Sequence, residues 1–297
     1  MKRIEYLLIV NPVAGRGRTC KLLTSLQALL EWKKIPNEIW FTSRPGEATE
    51  LTRKAIAKGF TQIVSVGGDG TAHEVANALI GSPAALGLIP AGGGNDFPKA
   101  VGVPLEISRA VETLVSGRRR RVDVGLLKGE YFINGLGIGL DGAVSHRYQH
   151  MRYLRGLPGY FWGAVYEAFA FKGFRVELVA PDWRQNGTVL LTGASNGQSQ
   201  GGNFKLAPEA KVDDGLLDIH VIQDMPTLKR FVNIPKVLQG KHLSLAEVQI
   251  KRLPWVEITL DRRLPAHMDG EPFWLEPGTH RIEAVPRGLE VISQAEN

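Results

Sequence analysis

The stretch Ile63-Val64-Ser65-Val66-Gly67-Gly68-Asp69-Gly70-Thr71, running on through Val75, Ala76 and Leu79, decides the fold. A short β-branched run predicts a buried strand over 63–66, and the apolar spacing after it predicts a helix over 71–80. Adjacent glycines let a backbone come close to a phosphate. Asp69 could then hold or orient Mg²⁺, directly or through water. The plainer reading is an Asp-Gly turn with Thr71 as the helix N-cap. Two extra glycines are more than such a turn needs, so the phosphate reading leads.

Strand and helix signals alternate on both sides of that stretch. Strands are predicted over 6–10, 38–42 and 86–90, and a helix over 107–115. Leu22, Leu23, Leu26, Leu29 and Leu30 mark a further helix, as do Leu51, Ala55 and Ile56. This alternation predicts a parallel sheet covered by helices, with ligands gathering at the carboxyl ends of the strands. Two more glycine loops stand at such ends. Asn11-Pro12-Val13-Ala14-Gly15-Arg16-Gly17-Arg18 lacks the Lys-Ser/Thr of a P-loop and the third glycine of a dinucleotide fingerprint. Its backbone N–H groups and arginines suit a phosphate all the same. Pro90-Ala91-Gly92-Gly93-Gly94-Asn95-Asp96 suits backbone contact with phosphates, or a flexible loop with Asn95 or Asp96 capping a short helix. Together the loops imply a nucleotide site.

At 297 residues and 43% hydrophobic content, the chain can bury two cores. Its longest apolar stretches fall short of the ~20 residues that cross a bilayer. The first strand follows the initial Met-Lys-Arg-Ile-Glu directly, which is not the pattern of a signal peptide. Cys20 is the only cysteine, excluding an internal disulfide and a zinc cluster. A cytoplasmic protein fits. A net charge of +6 suits a polyanionic partner or solubility alone. The run Arg118-Arg119-Arg120-Arg121 has no interleaved aromatics, which favours a solvated domain junction and no nucleic-acid partner.

Beyond Arg121 extended patterns dominate, over 131–133, 174–180, 188–192, 217–222, 256–260 and 281–285, with helices over 160–171 and 227–239. The expected division is a nucleotide-binding α/β domain, 1–121, with 286–297 returning to complete it, and a β-rich domain, 122–285. Two acidic turns stand out there. Asp213-Asp214-Gly215 is either a hard-cation site or a plain hairpin turn. In Met268-Asp269-Gly270-Glu271 one carboxylate could accept a proton while the other positions metal or nucleotide, or the residues form an ordinary β-turn. Basic residues within 147–155, then Tyr160, Phe161 and Trp162, suit either an anionic surface or a core helix.

These motifs, in this order, resemble the diacylglycerol kinase catalytic-domain family, especially its soluble bacterial lipid kinases; sphingoid-base and ceramide kinases are relatives. Asn11-Pro12-Val13-Ala14-Gly15, Gly67-Gly68-Asp69-Gly70-Thr71, Gly92 with Asn95-Asp96-Phe97, Asp213-Asp214-Gly215-Leu216-Leu217-Asp218 and Asp269-Gly270-Glu271 carry the resemblance across nearly the whole chain. It implies a Rossmann-like three-layer α/β domain, a β-sandwich-like C-terminal domain and ATP in the cleft between them. By position, Asn11, Pro12, Val13, Ala14, Gly15, Thr42, Gly67, Gly68, Asp69, Gly70, Thr71, Gly92, Gly93, Gly94 and Asn95 would contact ATP. Asp214 with the carbonyls of Lys211 and Leu216 would match a structural magnesium site. Glu271 would match the proton acceptor, with Asp269 as its close partner and Asp69 organising Mg²⁺. The implied activity is ATP- and Mg²⁺-dependent phosphorylation of a lipid hydroxyl, diacylglycerol first and a sphingoid base, phosphatidylglycerol or other lipid alcohol second. The acceptor would be drawn from the inner membrane surface by a peripheral protein; a homodimer is compatible. A non-catalytic sensor of lipid or nucleotide is the reading from another class. Its one support is Gly93, where the family usually has Thr or Ser.

Overall fold

The computed structural model describes residues 6–151 and 157–294. The chain divides into two compact units: the residues up to Val122 together with those from Arg287 onward, and Asp123–Pro286.

Unit one runs β1 (Tyr6–Val10), α1 (Ala14–Trp32), β2 (Asn37–Phe41), α2 (Glu47–Ala57), β3 (Gln62–Gly67), α3 (Asp69–Leu79), β4 (Ala85–Pro90), α4 (Asp96–Ala100) and α5 (Ile107–Ser116). Its strands are parallel in the order β2-β1-β3-β4, and Val291 pairs in parallel with Leu86 at the far edge of β4. Strands β1 and β4 are buried along their whole length, so their sequences are continuous apolar runs rather than alternating ones. The edge strand β2 is only half-buried. Helix α1 packs with α5, and α2 with α3, giving three layers. The order reverses between β1 and β3, the position where ligands of open α/β sheets bind. One local expectation needs correcting. Helix α3 begins at Asp69 with Gly68 at its N-cap, so Thr71 lies inside the first turn and caps nothing.

The arginine run opens a strand, β5 (Arg118–Leu127), with Arg118, Arg119 and Arg121 exposed and the division between the units falling after Val122. Arg119 donates to the Thr61 carbonyl and Arg120 to the Val101 carbonyl. Unit two then continues through β6 (Glu130–Phe132), β7 (Gly135–Gly139), α6 (Leu140–His150), α7 (Leu157–Ala170), β8 (Phe174–Ala180), β9 (Trp183–Ser195), β10 (Leu217–Gln223), α8 (Thr227–Gln239), β11 (Val248–Leu253), β12 (Trp255–Leu260), β13 (Leu264–Met268), β14 (Glu271–Leu275) and β15 (Gly278–Ser293). The strands run β14-β13-β7-β9-β8-β12-β15, with β10 and β11 branching from β9. The first half of β9 pairs with β8, and its second half lies between β7 and β10. Leu136, Ile138, Leu178, Ile219, Ile258 and Ala266 from five strands share one core.

Strand β7 escapes sequence reading because Gly135, Gly137 and Gly139 dilute its pattern. Gly137 has a packing reason: a Cβ there would lie 2.2 Å from Asp141 Oδ2 and 2.5 Å from His267 Nε2. Among the described residues no helix is long and apolar enough to cross a membrane.

Candidate active site

The three glycine loops of unit one touch one another. Gly15, Arg16 and Gly17 all take positive φ, so regular α1 backbone begins only after them. A Cβ on Gly15 would come within 2.1 Å of the Ala91 carbonyl oxygen, and one on Gly92 within 2.5 Å of Gly68 Cα. The glycines therefore serve loop-to-loop contact first. Asn11 Nδ2 donates to Thr71 Oγ1 at 3.1 Å, joining the first loop to the second. Asn95 clasps its own loop, accepting from the Gly92 N–H at 2.9 Å and donating to the Gly92 carbonyl at 3.1 Å. Pro12 and Gly94 are half-buried, while Val13 and Gly93 are exposed. Thr42 lies buried just past β2, its N–H bonded to the Val10 carbonyl.

Asp69 ties the second loop to the third. Its carboxylate accepts the N–H groups of Asn95 and Asp96, each at 2.7 Å, and that of Phe97. It thus caps α4 from another helix, since α4 has no side-chain cap of its own. Burial and the nearby Asp96 carboxylate push Asp69 up to about 7, against the pull of those N–H groups. Most acceptor positions of this carboxylate are already engaged.

In unit two, Asp269 and Gly270 form the two-residue loop between β13 and β14, with Met268 paired to Glu271. Both take positive φ, 50° and 90°, the type I′ geometry that Asp-Gly favours in hairpins. Asp269 is buried. Its Oδ2 accepts from Ile133 N–H at 2.9 Å, and its Oδ1 from Asn134 and Gly135 N–H at 2.8 and 2.9 Å. A carboxylate holding three main-chain donors has little capacity left for a substrate proton. Glu271, two residues on, is exposed. The two acids that sequence alone left unseparated thus differ: one anchors, the other faces solvent.

His267 continues the chain of contacts. Its Nδ1 accepts the Gly270 N–H at 3.2 Å, leaving Nε2 to face Asp141 Oδ1 at 3.2 Å. Burial alone would depress His267, but Asp141, with lesser pulls from Asp269 and Glu271, raises it. Burial likewise works against the Asp141 carboxylate, yet His267 holds it below the usual range. Buried His220 nearby is driven down to about 4 by desolvation. Sequence reading missed all three: Asp141 and His267 sit in a helix and a strand it did not resolve, and His220 lies in the strand expected over 217–222 with nothing local to mark it.

Asp141 also lines a cavity of about 100 Å³ whose walls are almost wholly apolar. Helices α6, α7 and α8 supply Val144, Ala164, Ile234 and Val237. At its polar end Asp141 Oδ2 and Gln200 Oε1 are buried with no hydrogen-bond partner.

The Asp213-Asp214-Gly215 turn is exposed, with Asp214 Oδ1 accepting the Leu216 N–H at 3.0 Å and Gly215 donating to Asp123 at 2.7 Å. The described residues contain no cluster of three or more His, Cys, Asp or Glu able to hold a metal. Any cation here would rest on one carboxylate, main-chain carbonyls and water, a hard-oxygen set that suits Mg²⁺.

Residues 5–127 match the diacylglycerol kinase catalytic domain, and 135–293 match the YegS C-terminal NAD kinase beta sandwich-like domain. The chain belongs to the diacylglycerol kinase family of lipid kinases. It is similar to a "Probable lipid kinase YegS-like" of Pseudomonas fluorescens strain Pf0-1, 34% identical over 98% of this chain and 94% of the relative. A lipid kinase of the same description from Pseudomonas aeruginosa is 31% identical over 85% of this chain and 86% of its own. A solved "putative diacylglycerol kinase" from Bacillus anthracis superposes with a TM-score of 0.81 at 28% identity, covering 99% of this chain and 96% of that one. As a lipid kinase of this family the protein is a phosphotransferase with an alcohol group as acceptor. The α/β fold followed by a β-sandwich-like domain is the family's, and the glycine loops lie within the catalytic-domain match.

Proposed function

We propose that the protein transfers the γ-phosphoryl group of MgATP to a free hydroxyl of a diacylglycerol-like lipid, working as a peripheral protein on an anionic membrane. The observation that carries this reading is an apolar cavity whose polar end is linked, through Asp141 and His267, to the hairpin that presents Glu271. An acyl chain suits the cavity walls, and Glu271 accepts the proton of the attacking hydroxyl. The glycine loops hold the nucleotide phosphates through main-chain N–H groups, and Asp69 keeps the second and third loops in register. Asp269 fixes the hairpin rather than the proton. Mg²⁺ arrives with ATP, where it neutralises charge on the transferred group. A second Mg²⁺ at Asp214 and the carbonyls of Lys211 and Leu216 would steady the turn before β10.

A sphingoid base is the second reading, favoured by the two unpartnered acceptors, Asp141 Oδ2 and Gln200 Oε1, which suit a head group carrying extra donors. A mixed-micelle panel with labelled ATP tests both. Label in diacylglycerol that disappears on chelating Mg²⁺ is the expected result. Label confined to the sphingoid base selects the second reading. No labelled lipid despite calorimetric ATP binding overturns both.

A further inference from the structure

Helices α7 and α8 each carry apolar side chains on two faces. Their inner faces line the cavity through Ala164, Ala168, Ile234 and Val237. On the outer side of α7, Trp162, Tyr166 and Phe169 follow one another at i, i+4 and i+7 and are 55%, 46% and 74% exposed. On α8, Leu228 and Val232, four residues apart, are 77% and 63% exposed. A soluble helix normally turns polar residues outward, so one that stays apolar there has an unfilled contact. The two helices are joined at one end, where Arg230 of α8 donates to the Ala168 and Phe171 carbonyls at the end of α7. Both turn their other faces to the same cavity, so these side chains share the side facing away from it.

Charge narrows the occupant. The carboxylates on and beside the two helices are already matched: Glu167 with Arg147, Asp224 with Arg230 and Glu247 with Lys229. Lys172 and Lys241 form no ion pair among the described residues, and Lys236 lies near Glu247, which Lys229 already holds. Aromatic side chains mixed with lysines are the composition of a helix lying in a membrane interface.

We infer that the outer face of α7 and α8, built on Trp162, Phe169, Leu228 and Val232, docks on an anionic bilayer and that the lipid acceptor passes between these helices into the cavity behind them. The inference rests on the lipid-kinase reading for the role of the cavity, but the docking stands apart from it. The cavity, at about 100 Å³, is smaller than the ~300–1,000 Å³ of a typical ligand pocket, so a long-chain acceptor enters only as the helices part. Docking keeps that opening away from water. Tyr160 is not part of the surface; it turns inward, its hydroxyl donating to Asp141 at 3.2 Å.

The test uses vesicles of phosphatidylcholine with and without phosphatidylglycerol, and a doubly substituted Phe169→Ser, Leu228→Ser protein. Both side chains are exposed, so the variant should melt with the parent. Expected are a tenfold or greater loss of binding to anionic vesicles and a similar loss of turnover on vesicle-borne acceptor. Turnover on a short-chain, monodisperse acceptor stays unchanged. In the parent, bromine-labelled lipid quenches tryptophan fluorescence, and Trp162→Phe removes most of the quenching. A variant that binds vesicles like the parent, or a parent that binds neutral and anionic vesicles equally, overturns the inference. A parent that docks through this face yet phosphorylates no lipid overturns the kinase reading and leaves the docking standing.

Discussion

Asp69-Gly70 in unit one and Asp269-Gly270 in unit two are the same dipeptide used in two ways. In each, the carboxylate gathers three successive main-chain N–H groups, of residues 95–97 in one unit and 133–135 in the other. Asp69 does so at the mouth of a helix, half-buried, with the Asp96 carboxylate close by, and its proton affinity rises to about 7. Asp269 does so from a type I′ turn, buried, and leaves the exposed role to Glu271. The difference teaches that an acid in a glycine-rich turn is identified by what its oxygens already hold. In unit two the anchor and the proposed proton acceptor are separate residues. In unit one a single carboxylate holds the loops together beside the proposed phosphate site.

The sharpest way to break the comparison is to exchange the fates of Asp269 and Glu271. Glu271→Gln should lower turnover by ~10²–10⁴-fold, the usual range for a lost general base, with the urea midpoint unchanged. Asp269→Ala should do the reverse in kind. It leaves the N–H groups of Ile133, Asn134 and Gly135 without their acceptor, at about 1–3 kcal/mol for each buried donor left unmet. A loss on the order of 3 kcal/mol or more is expected from urea titration, with Asp269→Asn recovering part of it. A stable Asp269→Ala protein with little turnover would make Asp269 the base and reduce Glu271 to a bystander.

The alternation of unit one and the bounds of β8 and α8 were legible because burial writes itself into a local pattern: continuous for a central parallel strand, spaced for a helix. Three kinds of feature were not. Strand β7 is rich in glycine for close packing against Asp141 and His267, so it carries too few side chains to show a period. Strands β13 and β14 are short and contain Pro265 and Pro272, which read as breaks. The anchoring roles of Asp69 and Asp269 depend on N–H groups 26 and 135 residues away, a separation no local spacing encodes. The motifs marked where chemistry gathers; the division of labour within them needed the hydrogen bonds.

The smallest expected effect is one of pH, and it tests the unit-one half of the comparison. The native state keeps the Asp69 proton up to about 7, whereas an ordinary carboxylate loses it near 3.8. Between those values the folded protein binds the extra proton, so the stability Asp69 contributes is full below about 3.8 and is lost as pH rises through 7. His220 has the opposite sign: held down to about 4, it costs stability only as pH falls from 6.5 toward 4. The two effects can therefore be separated by substitution. Asp69→Asn has no proton to lose and keeps one acceptor oxygen for the Asn95–Phe97 groups, so its nucleotide-free melting temperature should fall less than the parent's between pH 5 and 8. The acid limb owed to His220 should stay as it was. Parallel pH curves for parent and variant above pH 5 would mean that the N–H groups outweigh burial and Asp96, and that the two Asp-Gly carboxylates are alike in charge as well as in their contacts.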